Sequence, residues 1–203
     1  MRRLVPLVAV LLAGVTIPVT GQAGARVEVT VDSARHDPKV RIHNLMEQPR
    51  WREALDDAFK ISLNWRIELW KRRAIWSSNE KSFEFTIVIR REPLLGQYFI
   101  TYFTRGRDPQ TLSFNSFEEF VLQLERAIPI NRMAPVTEGD WFYVADLNVS
   151  ALDEDQFAEM QRFMGGSSGP DRSGDAISNW LLRRVGLPSQ NLPSARTPSF
   201  RVP

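Results

Sequence analysis

Two stretches in which apolar and polar residues alternate dominate the pattern of the chain. Every odd-numbered residue from Ile61 to Leu69 is apolar, and the same holds from Phe83 to Ile89. A period of two places these side chains on one face of a β-strand, so both stretches predict half-buried strands. The polar residues 77–81 lie between them and predict the loop of a hairpin.

The charges on the two strands suggest how they pair. Opposite residues project from the same face, so matching the apolar faces requires paired residue numbers with an even sum. A sum of 158 also sets Glu68 opposite Arg90 and Arg66 opposite Glu92, whereas 156 would oppose Arg66 to Arg90. We therefore predict the register with a sum of 158.

A third strand is predicted after the turn formed by residues 92–97, where Pro93 and Gly96 favour chain reversal. A tight turn centred on residues 93–96 would pair Ile89 with Ile100 and Ile87 with Tyr102. The same pairing would bring Glu84 opposite Arg105. The three strands together predict an antiparallel meander.

Shorter patterns complete the predicted fold. Alternation over 27–31, over 40–42 and over 141–149 predicts further strands. Helical spacing predicts short helices over 49–59, 116–128, 157–164 and 175–185, the second of them capped by Ser116. The fold class is therefore α+β: an antiparallel β-sheet meander, with a sandwich as a variant, that carries three or four short helices.

The second face of the predicted sheet is not simply polar. Four apolar residues lie there among charges: Trp70, Val88, Phe99 and Phe103. In one interpretation, which we favour, they pack under the helix over 117–128. In the other they form a partly exposed groove for an extended peptide, a lipid chain or a partner protein.

The N-terminus has the features of a cleavable export signal. Arg2 and Arg3 precede the apolar stretch 4–15, and Ala23 and Ala25 supply the small residues that signal peptidase needs. We expect cleavage after Ala25 and a periplasmic or secreted protein. The predicted organisation is a signal peptide (1–25), a β-rich domain (26–164), a flexible linker (165–175), an amphipathic helix (176–186) and a disordered Pro/Ser-rich tail (187–203).

Composition narrows the class of protein further. Arg2 and Arg3 account for the whole formal charge of +2, because the first 25 residues contain no acid, so the mature chain is balanced. This argues against a nucleic-acid partner, which would favour an excess of basic residues. The chain has no cysteine, so the fold has no disulfide and depends on core packing, for which 43% hydrophobic residues are ample.

No pattern in the sequence predicts a catalytic, metal or cofactor site. Ser167 lies in a G-x-S-x-G match, but no buried strand precedes it and both histidines lie upstream. His36 and His43 lack a third His or a Cys that could complete a zinc site. Asp153 and Asp155 fit a helix cap better than a calcium loop. We therefore predict a non-enzymatic protein without a cofactor or a metal.

The arginines near one end of the predicted sheet are a further candidate feature: Arg72, Arg73, Arg105 and Arg107. They could receive an anionic group. Glu80 and Glu84 are close enough in sequence to neutralise them, so solvated charge is the interpretation we favour.

Residues 54–149 resemble a family of exported bacterial proteins catalogued as domain of unknown function 4390. The resemblance depends on Ala54-Leu55, on the strand 66–70, on the segment 90–98, on the helix that begins at Ser116 and on residues 139–144. It implies an envelope location and a β-rich domain. It implies no activity, ligand or catalytic residue.

The functional hypothesis is an exported, non-enzymatic interaction or accessory module of the envelope. It would use the second face of the sheet, with Trp70, Val88, Phe99 and Phe103, or an open strand edge. The alternative is a carrier that holds a small-molecule or lipid-like ligand between that face and the helix over 117–128. The expected partner is an envelope protein or an apolar ligand, with membrane contact only through residues 1–25 if they are retained.

Overall fold

The computed structural model describes residues 24–152, 158 and 188–203. Ten strands and two helices lie in these ranges. Their bounds are β1 Arg26–Val31, β2 Pro38–His43, α1 Pro49–Asp56, β3 Lys60–Arg72, β4 Ser77–Glu92, β5 Gln97–Thr104, β6 Gln110–Phe114, α2 Phe117–Leu124, β7 Ile128–Pro129, β8 Gly139–Leu152, β9 Ser189–Arg196 and β10 Phe200–Val202.

The strands form two antiparallel sheets. The larger has seven strands in the order β10-β8-β3-β4-β5-β6, with β9 also paired to β8. The smaller has the order β1-β2-β7. The predicted antiparallel, β-rich fold is confirmed. A helix lies within each of the ranges 49–59 and 116–128, but both are shorter than predicted, and Ile128 belongs to β7. The other two predicted helices lie outside the described residues, apart from Ala158.

One core connects both sheets and both helices. The odd-numbered side chains of β3 meet Val40 and Ile42 of the small sheet, Trp51 of α1 and Phe120 of α2 in a single buried cluster. Tyr143 of β8 is fully buried there, and its hydroxyl lies 2.8 Å and 2.9 Å from the backbone oxygens of His36 and Met133. We call this side of the large sheet the core face. The alternation in the sequence predicted it because burial on one side selects period two.

The register predicted for β3 and β4 is wrong. Observed partners sum to 150 rather than 158, with Arg66 opposite Glu84 and Glu68 opposite Ser82. β3 ends at Arg72 and β4 begins at Ser77, so the turn consists of residues 73–76, and the predicted loop 77–81 belongs to β4. The even sum keeps the apolar faces matched, and Arg66 still faces a carboxylate. A shift between Leu69 and Trp70 then changes the pairing toward the turn.

The register predicted for β4 and β5 is confirmed. Ile89 pairs with Ile100 and Ile87 pairs with Tyr102. Gly96 adopts a φ of 64° in the turn between these strands, a conformation that glycine tolerates without steric cost. The last pair of this ladder joins Phe85 to Thr104, so the predicted opposition of Glu84 and Arg105 falls beyond it.

The disordered tail predicted over 187–203 is wrong for the residues that carry β9 and β10. Both strands pair with β8, and Leu192 is 5% exposed in the core. The Thr197 hydroxyl accepts a hydrogen bond from the Tyr143 backbone N–H at 2.9 Å. Pro193 lies within β9. An edge strand tolerates a proline because the N–H groups on its outer side need no partner. The end of the chain therefore belongs to the same domain.

The remaining predicted boundaries fall mostly outside the described residues. The linker over 165–175 and the helix over 176–186 lie there entirely, as does the predicted signal up to residue 23. Ala25, the residue before the expected cleavage, is 9% exposed at the margin of the core. Export stays a prediction.

Candidate interaction surface

The four residues proposed as a contact surface share one face, as the alternation predicts, but they are not equally accessible. Val88 is 1% exposed and Phe103 4%, whereas Trp70 and Phe99 are half-buried. All four project from the side of the large sheet opposite the core, which we call the second face. The prediction that Val88 and Phe103 belong to an accessible contact surface is therefore wrong, because both residues are buried.

The predicted cover of the second face by the 117–128 helix is also wrong. Phe120 of α2 stacks on Tyr98 at 5.2 Å, and Tyr98 lies opposite Arg91, on the core face. Phe114 of β6 meets Phe120 from the same side. The helix follows β6 and turns toward the core because its own apolar stripe finds more apolar surface there than on the charged second face.

Trp70 is held in a stacked row on the second face. It stacks on Phe142 of β8 at 6.3 Å, and the Arg196 guanidinium lies 3.6 Å from the Phe142 ring centroid. The indole N–H of Trp70 donates to the Glu68 carboxylate at 2.9 Å, and Glu68 pairs with Arg66 at 2.8 Å. Because its ring and its N–H both have partners within the fold, Trp70 stabilises the sheet and offers little free surface to a partner.

Phe99 contacts Arg90, which lines a cleft of about 550 Å³. The Arg90 guanidinium lies 4.1 Å from the Phe99 ring centroid and 3.4 Å from the Glu92 carboxylate. Phe103 itself lines the cleft. Its other described lining residues include Lys60, Arg90, Glu92, Thr101 and Thr111. The cleft thus combines an aromatic wall, hydroxyl groups and more basic than acidic residues.

A row of uncharged polar side chains crosses the centre of the second face. Asn64 of β3 lies opposite Asn148 of β8. The Asn64 oxygen accepts from the Thr86 hydroxyl at 2.9 Å, and the Asn148 amide donates to Asn191 at 2.6 Å. The Asn64 amide nitrogen and the Asn148 oxygen are buried without a hydrogen-bond partner in the described structure.

One edge of the large sheet ends in a strand without the usual protection. In the described part of the chain, β6 pairs only with β5. Its residues 110–113 are all exposed and carry no charge and no proline. Thr111 faces the cleft, where its hydroxyl lies 3.0 Å from that of Thr101. The cleft and the open edge are therefore neighbours.

The residues considered for catalysis or metal binding are engaged in structural contacts where they are described. His43 pairs with Glu28, and this hydrogen bond is the main cause that lowers the pKa of Glu28. His36 stacks on Phe200 at 5.7 Å. Within 24–152 and 188–203 no group of three His, Cys, Asp or Glu side chains is placed to hold a metal ion. Ser167, Asp153 and Asp155 lie outside the described residues.

The predicted cap of α2 by Ser116 is confirmed. The Ser116 hydroxyl accepts from the Glu119 backbone N–H at 3.3 Å and donates to the Glu118 carboxylate at 2.8 Å. The hydrogen bond from Ser116 is the largest cause that lowers the pKa of Glu118. The Glu118 carboxylate therefore belongs to the start of the helix.

The sequence prediction missed an exposed apolar turn at the end of the β3–β4 hairpin. Ile75 is 87% exposed and Trp76 61%. The loop was predicted over 77–81, where the residues are polar, so these two were not assigned to a turn. The alternation of apolar and polar residues stops after Trp70, and this break in the sequence could have indicated the turn.

Comparison with known proteins provides no functional information. The chain matches no family model, no curated protein and no solved structure. The resemblance described for residues 54–149 therefore stays a prediction. No helix within the described ranges is long and apolar enough to cross a bilayer.

Proposed function

We propose that this protein is an exported, non-enzymatic interaction module of the bacterial envelope. It holds an extended segment of a partner protein, which adds to strand β6 and lays its side chains over the adjoining cleft. The observation that carries the proposal is the position of an unprotected edge strand directly beside that cleft. Addition of a strand to a sheet edge is a common mode of peptide recognition.

Strand β6 supports this proposal because it has none of the features that usually protect an edge strand. An edge strand presents unpaired N–H and C=O groups, and natural sheets shield them with lysine, proline, bulges or a covering element. Residues 110–114 contain none of these residue types, and their pairing with β5 is regular. A partner strand would hydrogen-bond to this backbone without displacing any charge.

The cleft supports the proposal by its chemistry. Alternate side chains of an added strand would point to the same face as Thr111, above Phe103. Such side chains would meet the hydroxyl groups of Thr101 and Thr111, and an acidic one would approach Arg90. We therefore expect the partner segment to alternate, with polar and acidic residues on the cleft side.

A non-enzymatic role is the reading that the contacts of the described residues support. His43 is committed to Glu28 and His36 is stacked, so neither histidine is aligned with a nucleophile. The carrier alternative placed a ligand between the second face and the helix over 117–128. Because α2 packs on the core face, that arrangement is not favoured.

The test is site-specific photocrosslinking in intact cells. A crosslinker at Thr111 or at Leu112 should capture one discrete protein, whereas a crosslinker at the exposed Leu122 of α2 should not. Thr111→Lys should abolish capture by a crosslinker at Leu112, because a lysine blocks strand addition, while Leu122→Lys should leave it intact. Equal capture from all three positions, or capture that survives Thr111→Lys, would overturn the proposal.

Hydrogen exchange provides the matching structural readout. Binding of the captured partner should slow exchange of the backbone amides of 110–114, since strand addition gives them new acceptors. Cell fractionation with N-terminal sequencing tests export separately, and we expect mature material that begins at Arg26. If the protein retains its N-terminal residues and is confined to the cytosol, the proposed location in the envelope is wrong.

A further inference from the structure

The β3–β4 hairpin ends in a tight turn that exposes two large apolar side chains. The Arg73 backbone N–H donates to the Trp76 oxygen at 2.9 Å and closes the turn. Ile75 is 87% exposed and Trp76 61%, so the turn directs both side chains into solvent. Exposed residues of this size at the tip of a closed hairpin need an explanation.

The hairpin projects beyond its neighbour in the sheet. The pairing of β4 with β5 ends at Phe85, whereas β4 begins at Ser77. Among the described residues, 77–82 pair only with β3, and on its other side β3 is flanked by β8 and then β10 as far as the pair of Arg72 with Asp140. The turn therefore lies at one end of the sheet and extends past β5, where a flat surface can reach it.

A third exposed apolar residue, Val136, lies at the same end of the sheet. Val136 is 82% exposed in the segment before β8, whose start pairs with the end of β3. Lys71 donates to the Thr137 hydroxyl at 3.1 Å and ties this segment to the hairpin. We call Ile75, Trp76 and Val136 the apolar tip.

Basic residues border the apolar tip. Lys71, Arg72 and Arg73 directly precede it, and Glu80 is the only acid between residues 71 and 80. Glu80 pairs with Arg73 at 3.5 Å. Glu138 and Asp140 add two acids at the same end of the sheet, but Lys81 reaches the Ala134 oxygen there and Arg201 lies opposite Asp140, so three acidic residues face five basic ones. Lys71 lies over the Trp141 ring at 5.0 Å, so its ammonium group is held near the tip.

We propose that the apolar tip inserts into the interfacial layer of a bilayer that contains anionic phospholipids, with Lys71, Arg72 and Arg73 against the phosphate groups. Tryptophan favours the level of the headgroups because its ring is apolar and its N–H is polar. Basic side chains beside an apolar insertion strengthen binding to anionic lipid. This contact uses a different surface from the proposed partner site and does not depend on it.

The opposite end of the same hairpin strand offers a matched control. Leu94 is 95% exposed and Leu95 67%, so this turn is as apolar as the tip. Arg90 pairs with Glu92 at 3.4 Å and Arg91 pairs with Asp56 at 3.2 Å, so the charges beside this turn balance in two ion pairs. If exposure of apolar residues alone were enough for lipid binding, both turns would bind equally.

The test is flotation of the purified full chain with vesicles of phosphatidylcholine that contain about 30% phosphatidylglycerol, a composition that provides a negative surface. We expect Ile75→Ser/Trp76→Ser to weaken binding about tenfold or more, and Leu94→Ser/Leu95→Ser to leave it unchanged. Pure phosphatidylcholine vesicles and high salt should both weaken binding, because the basic residues then lose their partner or are screened. Circular dichroism checks that both variants remain folded.

A spectroscopic readout identifies the inserted side chain. Lipids brominated near the headgroup should quench part of the tryptophan fluorescence, and Trp76→Phe should remove that quenching. No binding of the wild-type chain to anionic vesicles, or equal loss in the two double variants, would overturn the inference. Capture of a protein by a crosslinker at Trp76 without any vesicle binding would overturn it as well, in favour of a protein partner.

Discussion

Replacement of Leu192 by alanine tests whether the end of the chain is part of the folded domain. Leu192 lies in β9 opposite Leu147 of β8, and its side chain is 5% exposed in the core. The substitution removes most of a buried side chain from an edge strand. A tail without structure would be indifferent to it.

The expected magnitude follows from the burial. Each buried methylene contributes about 0.8 kcal/mol, and Leu→Ala substitutions in cores cost about 2–5 kcal/mol including the cavity. Because β9 is at an edge and its backbone can move inward, we expect the lower part of this range, about 2–3 kcal/mol. For a chain of this size that lowers the melting temperature by about 4–12 °C.

Urea unfolding followed by tryptophan fluorescence measures the change directly. Leu94→Ala is the matched control, since the same atoms are removed from a side chain that is 95% exposed, and its effect should stay within about 0.5 kcal/mol. The slope of the transition should be similar in both variants if only the native state is affected. A Leu192→Ala protein as stable as the control would refute the placement of β9 in the core.

Three further changes test other contacts. Tyr143→Phe removes a hydroxyl that serves two backbone carbonyls, and we expect a loss of about 1–3 kcal/mol in urea unfolding. Hydrogen bonding to Lys39 is the main cause that lowers the pKa of Asp32 from 3.8 to about 2. The ionised Asp32 therefore stabilises the fold above pH 3.8, and this stabilisation is lost as the pH falls toward 2. Asp32→Asn should reduce the fall in melting temperature between about pH 5 and pH 2. Gly139 has a φ of 137°, and an added Cβ would lie 2.9 Å from the Lys71 side chain. Gly139→Ala should therefore lower the free energy of unfolding by about 1–3 kcal/mol. An unchanged midpoint of urea unfolding would contradict this.

The central strands could be predicted because burial on one face imposes a period of two on the sequence. That pattern located β3, β4 and β5 and identified the faces of Trp65 and Ile87. It could not determine the β3–β4 register, because every even sum matches the faces equally well. Charge pairing was then the only criterion, and Glu84 satisfies Arg66 as well as Glu92 would.

The C-terminal strands could not be predicted from local pattern. The segment 189–196 is polar and contains Pro193, so neither its hydrophobicity nor its propensity indicates a strand. Its order comes from pairing with β8 and from single contacts such as the Thr197 hydroxyl with the Tyr143 backbone. Such non-local pairing leaves little trace in one sequence.

The candidate site was predicted in part, for a related reason. Alternation placed Trp70, Val88, Phe99 and Phe103 on a common face, and they share it. Which face a helix covers depends on tertiary packing, and α2 covers the core face instead. The open edge β6 was not located by hydrophobic pattern because Leu112 and Phe114 are its only apolar residues, an alternation too short to indicate a strand. Its place at the edge is recognised only when the strand order is known.

The two proposed contacts should behave as independent sites. Thr111 pairs with Thr101, which pairs with Val88, and Val88 is separated from Ser77 by a length of β4 of about 36 Å. Effects at sites so far apart normally add. Thr111→Lys should therefore abolish partner capture and leave vesicle binding intact, whereas Ile75→Ser/Trp76→Ser should weaken vesicle binding and leave partner capture intact. Loss of both activities in either variant would mean that the edge and the apolar tip are coupled, and that one of the two proposals reports an indirect effect.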